Sequence, residues 1–168
     1  MPYFFKAGFS SVCKNYATLS NSQKAEVLGV FVTGLAVAES GLNSFDRYKE
    51  SFGVWSIGLF QTSYEDAANY GCPYSRKADS GRSQAQQSIY QTDAQVKCFI
   101  KIATKLMSQP EKFSYLRGLA SRKGYSSASK LNPTDKLSAY WSVFRSSNRQ
   151  GGNRLFSFVN SNKPSFCR

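Results

Sequence analysis

The sequence predicts a mainly α fold, one helical domain over residues 1–168 organised around a buried central helix, with little or no β-structure. Three observations predict it. The segment Val27–Ala38 is the most apolar in the chain and carries no charge; it is too short to span a bilayer and is interrupted by Gly29, Thr33 and Gly34. Residues 89–107 place Ala94, Cys98, Ile102 and Leu106 four apart, with Phe99 and Ala103 beside them, as one face of an amphipathic helix requires. Strand signals are few, and no repeat or linker divides the chain. A length of 168 residues suffices for one real core.

Taken in order, residues 1–19 are aromatic and loosely patterned, with a short helix expected near Phe9–Tyr16. Ser20 with Gln23 three residues on reads as a capping box that opens the central helix, expected over Asn21–Glu39. Gly41 is placed to end it. Residues 43–56 are polar and read as a loop lining a cleft, followed by a short apolar turn over Ile57–Gln61. Thr62 or Ser63 can cap a helix over Tyr64–Tyr70, whose first turn holds Glu65 and Asp66. Gly71-Cys72-Pro73 stops it. Residues 74–87 read as a surface loop. After the helix over 89–107, Pro110 interrupts, and a short helix is expected over Phe113–Leu119. Residues 121–133 read as a loop. A helix started by Thr134 or Asn132 is expected over Pro133–Phe144, then a turn-rich break over 146–153 and a last short helix over Leu155–Val159.

Four cysteines and no histidine, with no C-x-x-C pair, argue against a zinc site and for two disulfides in an oxidising compartment. Of the three possible connectivities, Cys72–Cys98 with Cys13–Cys167 tying the ends is favoured; four reduced thiols in a cytosolic protein is the competing reading. The N-terminal MPYFFKAGFSSVCK has no charged start leading into an apolar core, so it is not a signal peptide. Export to the periplasm or extracellular space therefore implies a leader already removed. A net charge of +12 implies an anionic partner, for which cell-wall polymer, nucleic acid and membrane surface all qualify.

One constellation looks like chemistry. Glu39 sits at the end of an apolar helix, where desolvation raises a carboxyl pKa towards what a general acid needs. Gly58-Leu59-Phe60-Gln61 follows, a turn whose glycine exposes backbone and whose glutamine can grip polar substituents. An ordinary helix-end Glu-Ser-Gly is the plain alternative.

Ala38-Glu39-Ser40-Gly41, then Gly58-Leu59-Phe60-Gln61 after a loop, resembles the signature of the goose-type lysozyme and soluble lytic transglycosylase family of the lysozyme-like superfamily. There an E-S-x motif ending a buried helix carries the catalytic acid, and a G-L-M-Q-like turn lines the cleft. The spacing of 22 residues from Glu39 to Gln61 fits, and Ser56 lies where the family has small residues. Leu137-Ser138-Ala139-Tyr140 is similar to a late helix motif whose tyrosine faces the catalytic glutamate, although Trp141 stands here in place of its asparagine. The resemblance spans residues 20–144. It implies a lysozyme-like helical domain that cleaves the β-1,4 bond between N-acetylmuramic acid and N-acetylglucosamine in peptidoglycan, with Glu39 as general acid. Ser56, Gly58, Gln61 and Tyr140 would contact the glycan, whose acetylated and deacetylated forms both stay open.

Goose-type enzymes carry an acidic residue two positions after the glutamine; here Ser63 occupies it. Asp46 and Glu50 in the intervening loop are the candidates for a second carboxylate, which hydrolysis requires and lytic transglycosylation does not. Tyr48, Trp55, Tyr64, Tyr90, Tyr140 and Trp141 are candidates to stack on sugar rings. No cofactor, metal or membrane span is expected, and the chain is expected to act as a monomer. Other readings are a catalytically silent wall-binding module, a chitinase- or chitosanase-like glycosidase, and a nucleic-acid binder using Arg117, Arg122, Lys123, Lys130 and Lys136, which no recognised nucleic-acid motif accompanies.

Overall fold

The structure is a computed structural model that describes residues 12–51, 53–138, 140–141 and 149–168. It is mainly helical, with one two-stranded sheet among the described residues. The chain folds as two compact units, Met1–Ala38 with Gln109–Arg168, and Glu39–Ser108.

In the first unit, α1 runs over Asn21–Ser40, its last two residues belonging to the second unit. Its start is the expected capping box: Ser20 N–H donates to Gln23 Oε1 at 3.0 Å, and Gln23 N–H donates to Ser20 Oγ at 3.2 Å. Val27, Phe31 and Leu35 form its buried stripe, with Gly34 and Ala36 alongside. The helix is not buried all round, as its apolar sequence suggests. Leu28, rotated about 100° from Val27, is 45% exposed, and Gly29 and Thr33 share that open side. The C-terminal helix α7 (Arg149–Asn162) closes on Gly34: a Cβ there would lie 3.0–3.1 Å from Leu155, Phe158 and Val159.

Beyond Pro110–Lys112, a 3-10 turn, come α5 (Ser114–Arg122), a 3-10 turn at Ala128–Lys130, and α6 (Pro133–Ser138). Asn132 caps α6, its Oδ1 accepting Asp135 N–H at 2.9 Å. The expected continuation of α6 to Phe144 falls largely outside the described residues, as do residues 9–11 of the expected N-terminal helix; Tyr16–Thr18 forms a 3-10 turn. The last helix, α7 (Arg149–Asn162), begins inside the stretch read as a break. Gly151 and Gly152 suggest a break because glycine is a weak helix former, but both are buried within the helix. Cys13–Cys167 is a disulfide, packed in a cluster with Leu19 and Val27 against Tyr16 and Phe166.

In the second unit the polar stretch read as a loop is a hairpin. Strand β1 (Arg47–Lys49) pairs antiparallel with β2 (Trp55–Ile57), with Tyr48 opposite Ser56. Strands of three residues, the first exposed and carrying Arg47 and Lys49, offer little alternation to read. Helices α2 (Glu65–Tyr70), α3 (Arg76–Asp79) and α4 (Thr92–Ser108) follow, and the disulfide Cys72–Cys98 joins the segment after α2 to α4. Both bridges have the pairing favoured from the sequence. They fit an oxidising, exported environment.

The segment read as a surface loop, residues 74–87, is instead folded around a buried carboxylate. Asp79, 2% exposed, accepts Ser88 N–H at 2.8 Å, Ser88 Oγ–H at 2.7 Å, Tyr64 O–H at 3.0 Å and Ile89 N–H at 3.4 Å. Burial alone pushes this carboxyl up, but the bonds from Ser88, Tyr64 and Ile89 outweigh it and hold Asp79 below its ordinary value. A depressed folded pKa gives stability that is present above the unfolded value, about 4, and is lost as pH falls through the folded value. Asp79→Asn is therefore expected to cost about 2–3 kcal/mol at neutral pH. Urea denaturation at pH 7 and pH 3 checks this: the gap between wild type and variant should narrow at the lower pH.

Candidate functional site

The site is built where α1 ends. Gly41 and Leu42 take left-handed backbone, φ +63° and +68°, and turn the chain out of the helix. Glu39 lies in the last turn, half-buried, with its Oε1 removed from solvent. Its neighbour Ser40 donates from Oγ to the Leu59 carbonyl at 3.4 Å. That bond ties the helix end to the Gly58–Gln61 turn.

The turn is a tight hairpin. Ile57 and Thr62 exchange backbone hydrogen bonds at 2.7 and 3.0 Å, and Gln61 N–H donates to the Gly58 carbonyl at 3.1 Å. Gly58 (φ +75°) and Gln61 (φ +50°) both occupy the left-handed region. Gly58 N–H donates to the Asp46 carbonyl at 2.7 Å. Gln61 Nε2 donates to the Gly58 carbonyl at 2.9 Å and to Asp46 Oδ2 at 3.4 Å. The Gly58 backbone and the Gln61 amide nitrogen, read from sequence as groups for substrate, thus also hold the turn together and tie it to Asp46. Phe60 anchors it from below, stacked on Phe99 of α4 at 4.8 Å.

The residue that holds these segments together is Gln95, on α4 and fully buried. Its Oε1 accepts Leu59 N–H at 2.7 Å. Its Nε2 donates to the Ile89 carbonyl at 2.7 Å and the Ser44 carbonyl at 3.0 Å. One side-chain amide thus satisfies three backbone groups on three segments. Gly58 must be glycine for the same reason, since a Cβ there would lie 2.1–2.5 Å from the Gln95 amide. Sequence reasoning missed Gln95. Its one signal was a polar residue beside Ala94 and Cys98 on the buried face of α4.

Glu50 follows β1 and Ser56 lies on β2; Ser56 Oγ–H donates to Glu50 Oε1 at 2.6 Å. The hairpin turn between them is closed by Glu50 N–H to the Val54 carbonyl at 2.8 Å. Glu50 is thereby held on ordered backbone, whereas Asp46 is engaged with Gln61. Ser63, the position without a carboxylate, instead donates its N–H to buried Asp66 at 2.6 Å, so Asp66 serves the first turn of α2. Glu65 pairs with Arg76 at the surface.

Glu39, Asp46, Glu50, Ser56, Gly58 and Gln61 all lie in the second unit, where Ser40 bonds to Leu59, Asp46 to Gly58 and Gln61, and Glu50 to Ser56. Tyr140 belongs to the first unit, where it lies against buried Trp141 with ring centroids 4.7 Å apart. Trp141 and Tyr90 are core residues at 1% and 5% exposed, while Tyr48 (63%) and Trp55 (43%) are open on the hairpin. Arg47 lies over the Trp55 ring at 5.2 Å. Tyr64 is bound to Asp79; burial first, and that hydrogen bond second, push its hydroxyl above the ordinary tyrosine value. Among the described residues no cluster of His, Cys, Asp and Glu is placed to hold a metal ion. No described helix is long and apolar enough to cross a membrane.

Replacing Gln95 by Leu strands three buried backbone groups. The expected cost is about 2–4 kcal/mol, and Gly58→Ala should be comparably damaging through the clash and the positive φ. Thermal unfolding of both variants checks this. The double variant should cost less than the sum, because both changes break one contact.

No protein-family model and no curated protein matches the chain. Solved structures of DslA (Bd0314) do match in fold. The wild-type form aligns with a TM-score of 0.60 at 22% identity over 94% of this chain and 76% of that one. Two DslA structures described as Glu→Gln mutants align with TM-scores of 0.61 and 0.59, at 21% and 22% identity, over the same shares of both chains. The chain thus shares the fold of DslA.

Proposed function

We propose that this chain is a peptidoglycan-cleaving glycosidase of the lysozyme-like superfamily, acting on the β-1,4 bond between N-acetylmuramic acid and N-acetylglucosamine. The observation that carries the reading is the setting of Glu39. It ends an apolar helix with one carboxyl oxygen buried, and Ser40 beside it is bonded to the Gly58–Gln61 turn. A glycosidase needs such a carboxyl to protonate the leaving oxygen.

The second carboxylate we assign is Glu50. Ser56 orients it, and Asp46 is occupied by Gln61. The spacing supports the pair: the two glutamates changed to glutamine in DslA lie eleven positions apart in that chain, as do Glu39 and Glu50 here. In the reaction, Glu39 gives its proton to the glycosidic oxygen as the C1–O bond breaks. Glu50 takes a proton from the water whose oxygen bonds to C1. The basic surface suits a substrate whose stem peptides carry carboxylates.

Turbidity clearing of purified sacculi tests the assignment. Glu39→Gln should slow clearing by at least about 100-fold, and equal clearing by both proteins removes Glu39 from the chemistry. Glu50→Gln should lose a similar factor. Full activity in that variant would mean that Glu39 alone handles both proton transfers, as in a lytic transglycosylase.

A further inference from the structure

The net charge is divided very unevenly. The unit Glu39–Ser108 holds eight Lys and Arg against seven Asp and Glu, whereas Met1–Ala38 with Gln109–Arg168 holds fourteen against three. Nearly all of the +12 therefore resides in the unit that lacks the candidate carboxylates.

Part of that charge is gathered on one local structure. The 3-10 turn Pro110–Lys112, α5 and the 3-10 turn Ala128–Lys130 pack on one another. They expose Lys112, Arg117, Arg122, Lys123 and Lys130. Two of these are engaged: Arg117 donates to the Glu111 carbonyl, and Lys123 pairs with Asp135 Oδ1 at 2.7 Å. Glu111, the acid within the cluster, accepts Ser129 N–H at 2.8 Å. Lys112, Arg122 and Lys130 make no ion pair among the described residues. Tyr115 on α5 and Tyr125 just beyond it are 40% and 42% exposed, the Tyr115 ring tilted against Phe113. Unpaired cations raise the folding cost through self-repulsion, so three of them on one packed local structure that also carries partly exposed tyrosines mark a surface for an anionic, ring-bearing polymer.

We infer that the Lys112–Arg122–Lys130 surface is a second binding site that holds the protein on the carboxylates of the peptidoglycan polymer, separately from the residues that cleave it. The partner follows from the function proposed above; the surface itself follows from the charge. Cations near an anionic surface contribute about fivefold in affinity each at low ionic strength, and the effect fades within a Debye length of about 8 Å at physiological salt.

The test is co-sedimentation with purified intact sacculi, using Glu39→Gln protein so that nothing is cut. Adding Lys112→Gln, Arg122→Gln and Lys130→Gln together should weaken binding by at least about tenfold and flatten its salt dependence. The charge-keeping set Lys112→Arg, Arg122→Lys and Lys130→Arg should restore it, which excludes misfolding as the cause. Sacculi whose carboxylates have been amidated should bind the parent protein as weakly as native sacculi bind the triple variant. Unchanged binding by the neutralised variant, or full binding to amidated sacculi, overturns the inference, as does tighter binding to duplex DNA than to sacculi in the same buffer. With Glu39 restored, the triple variant should cleave short soluble muropeptides at the wild-type rate. A protein that binds sacculi through this surface yet cleaves nothing would refute the proposed catalysis and leave the second site standing.

Discussion

The candidate site depends on one buried amide. Gln95 leaves water entirely, and such a group is tolerable only when its hydrogen bonds are made. It makes three, to the Leu59 N–H and to the carbonyls of Ile89 and Ser44. Those partners lie on the turn, on the segment leading into α4, and on the loop leaving α1. The position of the Gly58–Gln61 turn against the end of α1 is thus set from α4, a helix that carries none of the candidate carboxylates. Gly58 follows from the same constraint, since only a residue without Cβ lets the turn approach the amide.

Around that constraint, polar groups are used as fixed points. Asp79 gathers four donors from residues 64, 88 and 89, and Asp66 closes the first turn of α2. Glu50 is held by Ser56 on the hairpin. The carboxylates of the second unit therefore divide by setting. Asp66, Asp79 and Asp46 serve the backbone and side chains around them. Glu39 and Glu50 sit where α1 ends and where β1 ends, the two positions from which a general acid and its counterpart would act in the proposed reaction.

Much of this was legible in the sequence. The capping box at Ser20 and Gln23, the stop at Gly41 and the face of α4 rest on local rules, and the structure follows them. Cysteine arithmetic led to both bridges. What local rules missed has a common origin. The hairpin 47–57 is too short to alternate, and Asp79 reads as a loop charge because its donors come from elsewhere in the chain. Gln95 is polar on a buried face, a conflict that only tertiary partners resolve. Gly151 and Gly152 signalled a break on propensity, whereas their burial within α7 follows from packing. The resemblance to a glycosidase signature rests on Glu39 and the Gly58–Gln61 turn, whereas the structural duties of Gly58 and Gln61 were not legible.

The central claim is that Glu39 drives cleavage of peptidoglycan with Glu50 directing water. Mass spectrometry of the fragments released from purified sacculi tests it most directly. The account predicts soluble muropeptides that carry one added water at the cut sugar and are absent from digests with Glu39→Gln. Release of no fragments by the wild-type chain, or of fragments lighter by one water, would contradict it.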